Sequence, residues 1–297
     1  MVTMAKKFAG IFTAIATPFT KKGELDEESM GALVDFQVRS GVNGIYACGT
    51  TGEGVSMTLE QRKRVAEICV DRANGKVVVM TQVGDEAIEN IRVLAKHADD
   101  IGLDGIASLT PYYYKPDNDA VVDFYREIGT FTDLPLFIYH IPPFTGLTLS
   151  PKTIARIMTE VPAVKGIKDS SGDFKHLLEI LYYKPKGTAV FSGSDEYALA
   201  GYISGIDGSV TGYANAFPEN YVKLYSLFTN GEIDKALKLQ EKITRIKIEL
   251  RAPPIQALKE AMKMRGVDGG FVKKPLRIMS AAEVKDRKSR LKAIDAI

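Results

Sequence analysis

The stretch GIYACGTTGEGVSMTLEQRKRVAEICVDRAN, residues 44–74, contains one complete copy of the unit that recurs along the chain. It begins with a β-rich run, passes through a turn rich in glycine and threonine, and continues with apolar residues at i, i+3 and i+4. Thr58 is followed three residues later by Gln61, a capping-box pattern that predicts a helix over Thr58–Asn74. The stretch therefore predicts a strand followed by a helix.

Similar β-rich runs recur, and each precedes a segment with helical periodicity. The other runs are GIFTAIATPF (10–19), VVVMTQVG (77–84), GIASLTP (105–111), PLFIYHIP (135–142), VKGIKDS (164–170), TAVFSGS (188–194) and GSVTGYA (208–214). The other helices predicted between them include Asp26–Ser40, Ala87–Gly102 and Asn118–Thr130. Eight such units predict an α/β fold, a (β/α)8 TIM barrel, and no G-x-G-x-x-G follows the first strand to indicate a dinucleotide fold.

The last part of the chain contains more predicted helices than the barrel requires. Three helical segments, residues 230–250, 254–265 and 281–296, follow the eighth unit. We therefore predict a catalytic barrel over residues 1–225 and a C-terminal helical region over residues 226–297.

Composition excludes several classes of partner. The chain has 297 residues with 39 basic and 37 acidic side chains, and the basic residues are scattered, so neither nucleic acid nor a membrane surface is an expected partner. The apolar run near the N-terminus reads as a first strand and not as a signal peptide. Cys48 and Cys69 lack the spacing of a zinc site or a disulfide framework, which indicates a reducing, cytoplasmic location without a structural metal.

The segment VKGIKDSSGD, residues 164–173, places a lysine where a barrel interior is expected. Alternation along the strand puts Val164, Gly166 and Lys168 on one face and Lys165 on the other. A buried, neutral Lys168 could attack a ketone and form a Schiff base. A structural ion pair with Asp169 or another carboxylate is an equally good interpretation of the residues alone.

Tyr139 lies inward at the end of the preceding strand by the same alternation, where a phenol could relay protons. The alternative is a core tyrosine bonded to a backbone carbonyl. His140 is predicted to face outward or into the following loop, with a lesser chance of taking part in catalysis.

Two loops add candidate binding groups. The glycines and hydroxyls of the turn containing Thr50 and Thr51 suit a carboxylate ligand, although such a turn is a weak signal by itself. Asp195 and Glu196 stand where a helix should begin, so they either favour that helix electrostatically or accept hydrogen bonds from substrate hydroxyls.

Several motifs occurring in order resemble those of the class I pyruvate aldolases, the family of dihydrodipicolinate synthase, N-acetylneuraminate lyase and 2-keto-3-deoxygluconate aldolase. They are GTTGEG (49–54), TPYYYKP (110–116), YHIPPFTG (139–146), GIKDSSGD (166–173), GSDE (193–196), PPIQALK (253–259) and KPLR (274–277). The resemblance covers nearly the whole chain.

The resemblance implies a role for each matching residue. Lys168 would be the Schiff-base lysine and Tyr139 the proton relay, with Thr50 linking Tyr139 to Tyr113 of a neighbouring protomer in a homotetramer. The implied substrate contacts, to pyruvate and to an aldehyde or sugar acid, are Thr51, Ser170, Gly193, Asp195, Glu196 and Val210. No metal or other cofactor is implied, because the intermediate is a covalent imine on the lysine.

One departure bears on the second substrate. In the synthase branch the position two after the first proline of Y-x-x-P is an arginine that binds the carboxylate of the aldehyde, whereas here it is Phe144. We therefore predict reversible cleavage of a 2-keto-3-deoxy sugar acid to pyruvate and an aldehyde. The alternatives are dihydrodipicolinate synthase, which condenses pyruvate with aspartate semialdehyde, and a non-catalytic barrel that binds a 2-oxo acid.

Overall fold

The computed structural model describes residues 8–297, so residues 1–7 of the predicted barrel region lie outside the described part. Within that part, eight parallel strands close into a barrel in sequence order, β1 to β8, with β8 paired to β1. The strands are β1 Gly10–Ala14, β2 Gly44–Ala47, β3 Val78–Gln82, β4 Gly105–Leu109, β5 Leu136–His140, β6 Val164–Asp169, β7 Ala189–Ser192 and β8 Gly208–Thr211. The predicted TIM barrel is confirmed.

Within residues 8–297, each helix predicted from the sequence is present with slightly narrower bounds, and five further α-helices lie between residues 142 and 229. The α-helices are α1 Glu27–Arg39, α2 Leu59–Ala73, α3 Ile88–Asp100, α4 Asn118–Ile128, α5 Pro142–Thr145, α6 Pro151–Glu160, α7 Phe174–Tyr183, α8 Ala198–Ser204, α9 Pro218–Thr229, α10 Ile233–Leu250, α11 Pro254–Met264 and α12 Ala281–Ala293. The capping box at Thr58 and Gln61 is present at the start of α2. Among the helices of residues 8–297, none combines the length and apolar character of a membrane-spanning segment.

The first strand is shorter than predicted. The run 10–19 leaves the sheet after Ala14, where Ala16 N donates to the Asn215 side chain and Pro18 has no N–H to donate. The residues that follow each strand form the loops at the C-terminal end of the barrel, where TIM barrels carry their active sites.

The core has two layers. Mainly aliphatic side chains fill the space between strands and helices, whereas several aromatic rings, together with smaller apolar side chains, fill the barrel itself. The Phe12 and Phe191 rings lie 5.0 Å apart edge to face, and Phe137 lies 6.2 Å from Phe191. Gly166 makes room for this layer, because a Cβ there would come within 2.6 Å of Phe137 Cε1 and 2.4 Å of Ala189 O.

The C-terminal helices are anchored to the barrel by a buried ion pair. Lys259 of α11 is fully buried and donates to Glu53 Oε1 at 2.6 Å, and to the carbonyl oxygens of Thr17 and Phe271, both at 2.7 Å. Glu53 Oε2 also accepts from Lys273 N. The predicted boundary between residues 225 and 226 falls inside α9, and the division into two regions stays a prediction.

Candidate active site

A cavity of about 860 Å³ opens at the C-terminal ends of the strands. Its wall also includes Phe144, which is 71% exposed at the mouth, and residues of the C-terminal region such as Lys247 and Leu276. The predicted site residues that line it are Thr50, Thr51, Tyr139, Lys168, Ser170, Gly193, Asp195, Glu196 and Val210. The structure therefore gathers these residues around one space.

Lys168 is buried near the end of β6 and lies between two tyrosine rings. Its Nζ is 3.9 Å from the centre of the Tyr139 ring and 4.4 Å from that of Tyr46. Burial lowers the pKa of the Lys168 ammonium, against the opposing influence of Tyr139 and Asp195. Asp169, the ion-pair partner considered above, instead accepts from His140 and Ser171 outside the barrel. The environment of Lys168 therefore favours the neutral amine over the ammonium more than water does.

Tyr139 lies directly across from Lys168 in the register of β5 and β6. Its hydroxyl is 3.0 Å from Thr50 Oγ1, in a hydrogen bond for which either group can be the donor. The phenol therefore has both a neighbouring amine and a hydroxyl to exchange protons with.

The turn after β2 is held in an unusual backbone shape. Cys48 and Glu53 both have positive φ, 56° and 59°, and the buried Lys259 holds the Glu53 side chain. Thr51 meets Gly212 of the loop after β8, where an added Cβ would lie 2.7 Å from Thr51 Oγ1. The absence of a side chain at Gly212 therefore makes room for Thr51.

Ser170 and Gly193 are packed against each other beside Lys168. A Cβ on Gly193 would lie 2.0 Å from Ser170 Oγ, so any larger residue here would displace the serine hydroxyl. Gly193 N also donates to Asp169 O at 2.7 Å. This pair forms one wall of the cavity.

Asp195 and Glu196 form a short 3₁₀ turn just before α8 and also line the cavity. Burial raises the pKa of the Asp195 carboxyl, and the Lys247 ammonium 3.8 Å away opposes that rise. Lys247 also forms an ion pair with Glu196. Lys247 of α10 therefore partly neutralises both carboxylates.

Tyr113 is the predicted catalytic residue that this chain does not bring to the cavity. Its side chain is 77% exposed, its ring contacts that of Tyr114, and its backbone N donates to Glu86. Its reach into a neighbouring protomer stays a prediction.

Tyr46 and Lys247 are among the residues at the site that were not predicted from the sequence. Tyr46 could have been found, because its inward position follows from alternation along β2. Lys247 reaches the cavity from α10, and His140, on the outer side of its strand, is fully buried against Asp169. Neither of these two contacts leaves a local pattern in the sequence.

Comparison with known proteins gives a consistent result. The model of the dihydrodipicolinate synthetase family matches residues 7–294. The 4-hydroxy-tetrahydrodipicolinate synthase of Nitratidesulfovibrio vulgaris (strain DSM 19637 / Miyazaki F) is 34% identical over 262 residues, which are 88% of this chain and 89% of that relative.

Two solved structures have nearly the same backbone. YagE, a prophage protein of the dihydrodipicolinic acid synthase family from E. coli K12 in complex with pyruvate, has a TM-score of 0.94 at 25% identity, covering 98% of this chain and 99% of that one. A doubly substituted variant of Sulfolobus solfataricus 2-keto-3-deoxygluconate aldolase has a TM-score of 0.90 at 28% identity, covering 97% and 96%. The chain therefore belongs to the dihydrodipicolinate synthetase family and is a class I, pyruvate-using aldolase of the Schiff-base type.

Proposed function

We propose that Lys168 is the lysine that forms the Schiff base with pyruvate. The observation that carries this proposal is the burial of Lys168 against Tyr139, whose hydroxyl is bonded to Thr50 at 3.0 Å. The carboxylate of pyruvate would lie at the turn containing Thr50 and Thr51, where hydroxyl groups and backbone N–H groups can donate to it.

The reaction follows from this arrangement. The lone pair of Lys168 Nζ attacks the keto carbon of pyruvate, and the carbinolamine loses water to give an iminium. Loss of a proton from the pyruvyl methyl group gives an enamine, whose carbon attacks an aldehyde, and water then releases the product and restores the amine. Tyr139, with Thr50 behind it, would move the protons in each direction.

Aspartate semialdehyde is the first candidate for the aldehyde. The curated relative at 34% identity carries the name 4-hydroxy-tetrahydrodipicolinate synthase, so condensation of pyruvate with this aldehyde is the reaction that the relatives favour. The relatives therefore favour the synthase reaction over the sugar-acid cleavage that the sequence predicts.

Cleavage of a 2-keto-3-deoxy sugar acid is the second candidate, and one observation favours it. Phe144 stands at the mouth of the cavity in the position where the synthase branch carries its arginine. A phenyl ring cannot form the bidentate pair that a guanidinium forms with a carboxylate. The polar wall of Asp195, Glu196 and Lys247 would then bind hydroxyl groups.

The remaining expectations belong to the same proposal. The enzyme would need no metal and no organic cofactor, since the imine itself is the electron sink. A homotetramer, in which Tyr113 completes a neighbouring site, and a cytoplasmic location stay predictions.

Trapping with borohydride tests the role of Lys168. The protein is incubated with pyruvate and sodium borohydride, and the modified residue is located by mass spectrometry of peptides. We expect one reduced pyruvyl adduct, on Lys168. An unmodified protein, or an adduct on another lysine, would contradict the assignment, and Lys165→Met is the matched control because it removes the neighbouring lysine of the same strand.

A paired assay then decides the second substrate. Condensation of pyruvate with aspartate semialdehyde and cleavage of 2-keto-3-deoxygluconate are measured with the same enzyme preparation. A kcat/KM larger by orders of magnitude for the condensation would establish the synthase reaction, and the opposite ratio would establish the sugar-acid aldolase.

A further inference from the structure

Immediately behind the catalytic pair lies a cluster of three side chains, His140, Asp169 and His176, on the outer side of β5 and β6. His140 Nδ1 is 2.6 Å from Asp169 Oδ1, and both side chains are completely buried. His176 of α7 stacks on His140 with the ring centres 5.0 Å apart, and its Nδ1 is 3.7 Å from Asp169 Oδ1. Two histidines and a carboxylate this close together suggest a metal site or a hydrogen-bond chain.

The hydrogen bonds of His140 decide between them. Leu149 N donates to His140 Nε2 at 3.1 Å, so Nε2 carries no proton and the proton of the neutral ring is on Nδ1. That proton is donated to Asp169. A metal ion on Nδ1 would displace it and leave the ring without a proton on either nitrogen, whereas histidine ligands keep an N–H on the other nitrogen. The hydrogen-bond chain therefore runs from Leu149 N through His140 to Asp169, whereas His176 stacks on His140 and donates from Nε2 to Leu149 O at 2.9 Å.

The His140–Asp169 hydrogen bond lies at the ends of the two strands that carry Tyr139 and Lys168. His140 and Asp169 are the last residues of β5 and β6 and are paired with each other, one position after the pair Tyr139 and Lys168. Beyond this point the two strands share one more backbone bond, from Ser170 N to His140 O at 2.8 Å. Because neighbouring residues point to opposite faces, a side-chain bridge on the outer face fixes the separation of the two catalytic groups on the inner face.

The hydrogen bonds of Asp169 also extend into the wall of the cavity. Ser171 Oγ donates to Asp169 Oδ2 at 2.8 Å and in turn accepts from Asp173 N at 3.2 Å. Ser171 lines the cavity next to Ser170, so the carboxylate of Asp169 links the strand ends to the loop that surrounds the substrate.

We propose that His140 and Asp169 are positioning residues for the reaction. Their buried hydrogen bond holds the ends of β5 and β6 in the register that places Tyr139 against Lys168, and the bond to Ser171 carries the same constraint to the substrate loop. This inference rests on the proposed role of Lys168, and the experiment separates the two. An isolated displacement of about 1 Å in an active site can cost on the order of a hundredfold in rate.

Two substitutions at one position test the bridge. His140→Asn keeps an N–H at the same distance from the backbone as Nδ1, whereas His140→Leu has a similar shape and no donor. With pyruvate and borohydride, we expect His140→Leu to slow formation of the Lys168 adduct by about tenfold and His140→Asn to stay within about threefold of the unchanged protein. The rate constant for adduct formation and the KM for pyruvate are measured separately, and we expect the change in the rate constant.

His97 provides a matched control. It forms a hydrogen bond to a carboxylate elsewhere, with Nε2 3.0 Å from Glu67 Oε1, and it belongs to α3, whose residues do not line the cavity. His97→Leu and His97→Asn should leave the rate of adduct formation unchanged. The melting temperature of each variant is recorded in the same samples.

Equal rates for His140→Leu and His140→Asn, or a normal rate for a folded His140→Leu, would overturn the positioning role. If His140→Leu does not fold, Ser171→Ala decides, because it removes one hydrogen bond of Asp169 from the half-buried loop; we expect about fivefold slower trapping in a protein that still folds, and a rate within about threefold of the unchanged protein overturns the proposal. The absence of any adduct in the unchanged protein would instead overturn the proposed role of Lys168.

Discussion

Lys168 is placed where a charged side chain is unfavourable for folding. An ammonium surrounded by the rings of Tyr46 and Tyr139 has lost its water, and the depressed pKa of Lys168 is the sign of that cost. The same cost makes the amine a better nucleophile, because a larger fraction is neutral at a given pH. The function proposed for Lys168 and the stability of the fold therefore place opposite demands on this residue.

Replacing Lys168 should therefore remove the proposed reactivity and stabilise the fold. We expect Lys168→Met to abolish the adduct and to raise the free energy of unfolding at pH 7 by about 1–3 kcal/mol, since a buried ion is exchanged for an apolar side chain of similar length. Urea unfolding at fixed pH measures the difference. Lys165→Met on the same strand, where the side chain is only half-buried, should change it by less than about 0.5 kcal/mol.

The pH dependence of that difference has a definite sign. The unfolded chain binds a proton at Lys168 up to its ordinary pKa of 10.5, whereas the folded protein loses it at lower pH. The cost is complete below the folded pKa and disappears as the pH rises to 10.5. The advantage of Lys168→Met should therefore shrink between neutral pH and pH 10.5, and a constant or growing advantage would contradict this account.

Among the strands, alternation is the most informative pattern in the sequence. It predicts that Tyr139 and Lys168 lie on the inner faces of adjacent strands, and the structure brings both to the cavity. It failed at strand ends, as in β1, because the point at which a strand leaves the sheet depends on partners such as Asn215 that are distant in sequence.

The close approach at Gly166 supports a prediction for β6. Gly166→Ala should lower the free energy of unfolding by about 1–3 kcal/mol, because the new Cβ would meet the carbonyl of Ala189 and the ring of Phe137. Gly31→Ala is the control, since a Cβ there finds Arg72 Nε at an ordinary 3.5 Å and a helical alanine is favoured by up to about 1 kcal/mol. Equal effects of the two substitutions in urea unfolding would show that the crowding at Gly166 is unimportant.

Contacts between segments that are distant in sequence hold the walls of the cavity together. Lys259 and Glu53 are 206 residues apart, and Lys247 reaches Glu196 from 51 residues away. Local periodicity predicts the helices that carry these lysines, but it contains no information on which loop each lysine meets. Local periodicity likewise contains no information on the predicted contact of Tyr113, because that contact is with another protomer.

Breaking the buried pair should loosen the whole assembly. Lys259→Met leaves Glu53 as a buried, unpaired carboxylate, so we expect a loss of about 3–5 kcal/mol in the free energy of unfolding. Since Glu53 belongs to the turn that contains Thr50 and Thr51, the KM for pyruvate should also rise. Lys263→Met on the same helix removes a partly exposed lysine and should cost less than about 1 kcal/mol; a similarly small cost for Lys259→Met would disprove the anchoring role.

The reach of α10 into the cavity has a consequence for how such enzymes diversify. Lys168 and Tyr139 stand on barrel strands, whereas Lys247 comes from a helix that follows the barrel. The residues proposed for the covalent chemistry and this part of the cavity wall are thus encoded in separate stretches of the gene. Under the proposed function, exchange of the C-terminal helices between relatives would alter which aldehyde or sugar acid is accepted and leave the carbon–carbon chemistry in place.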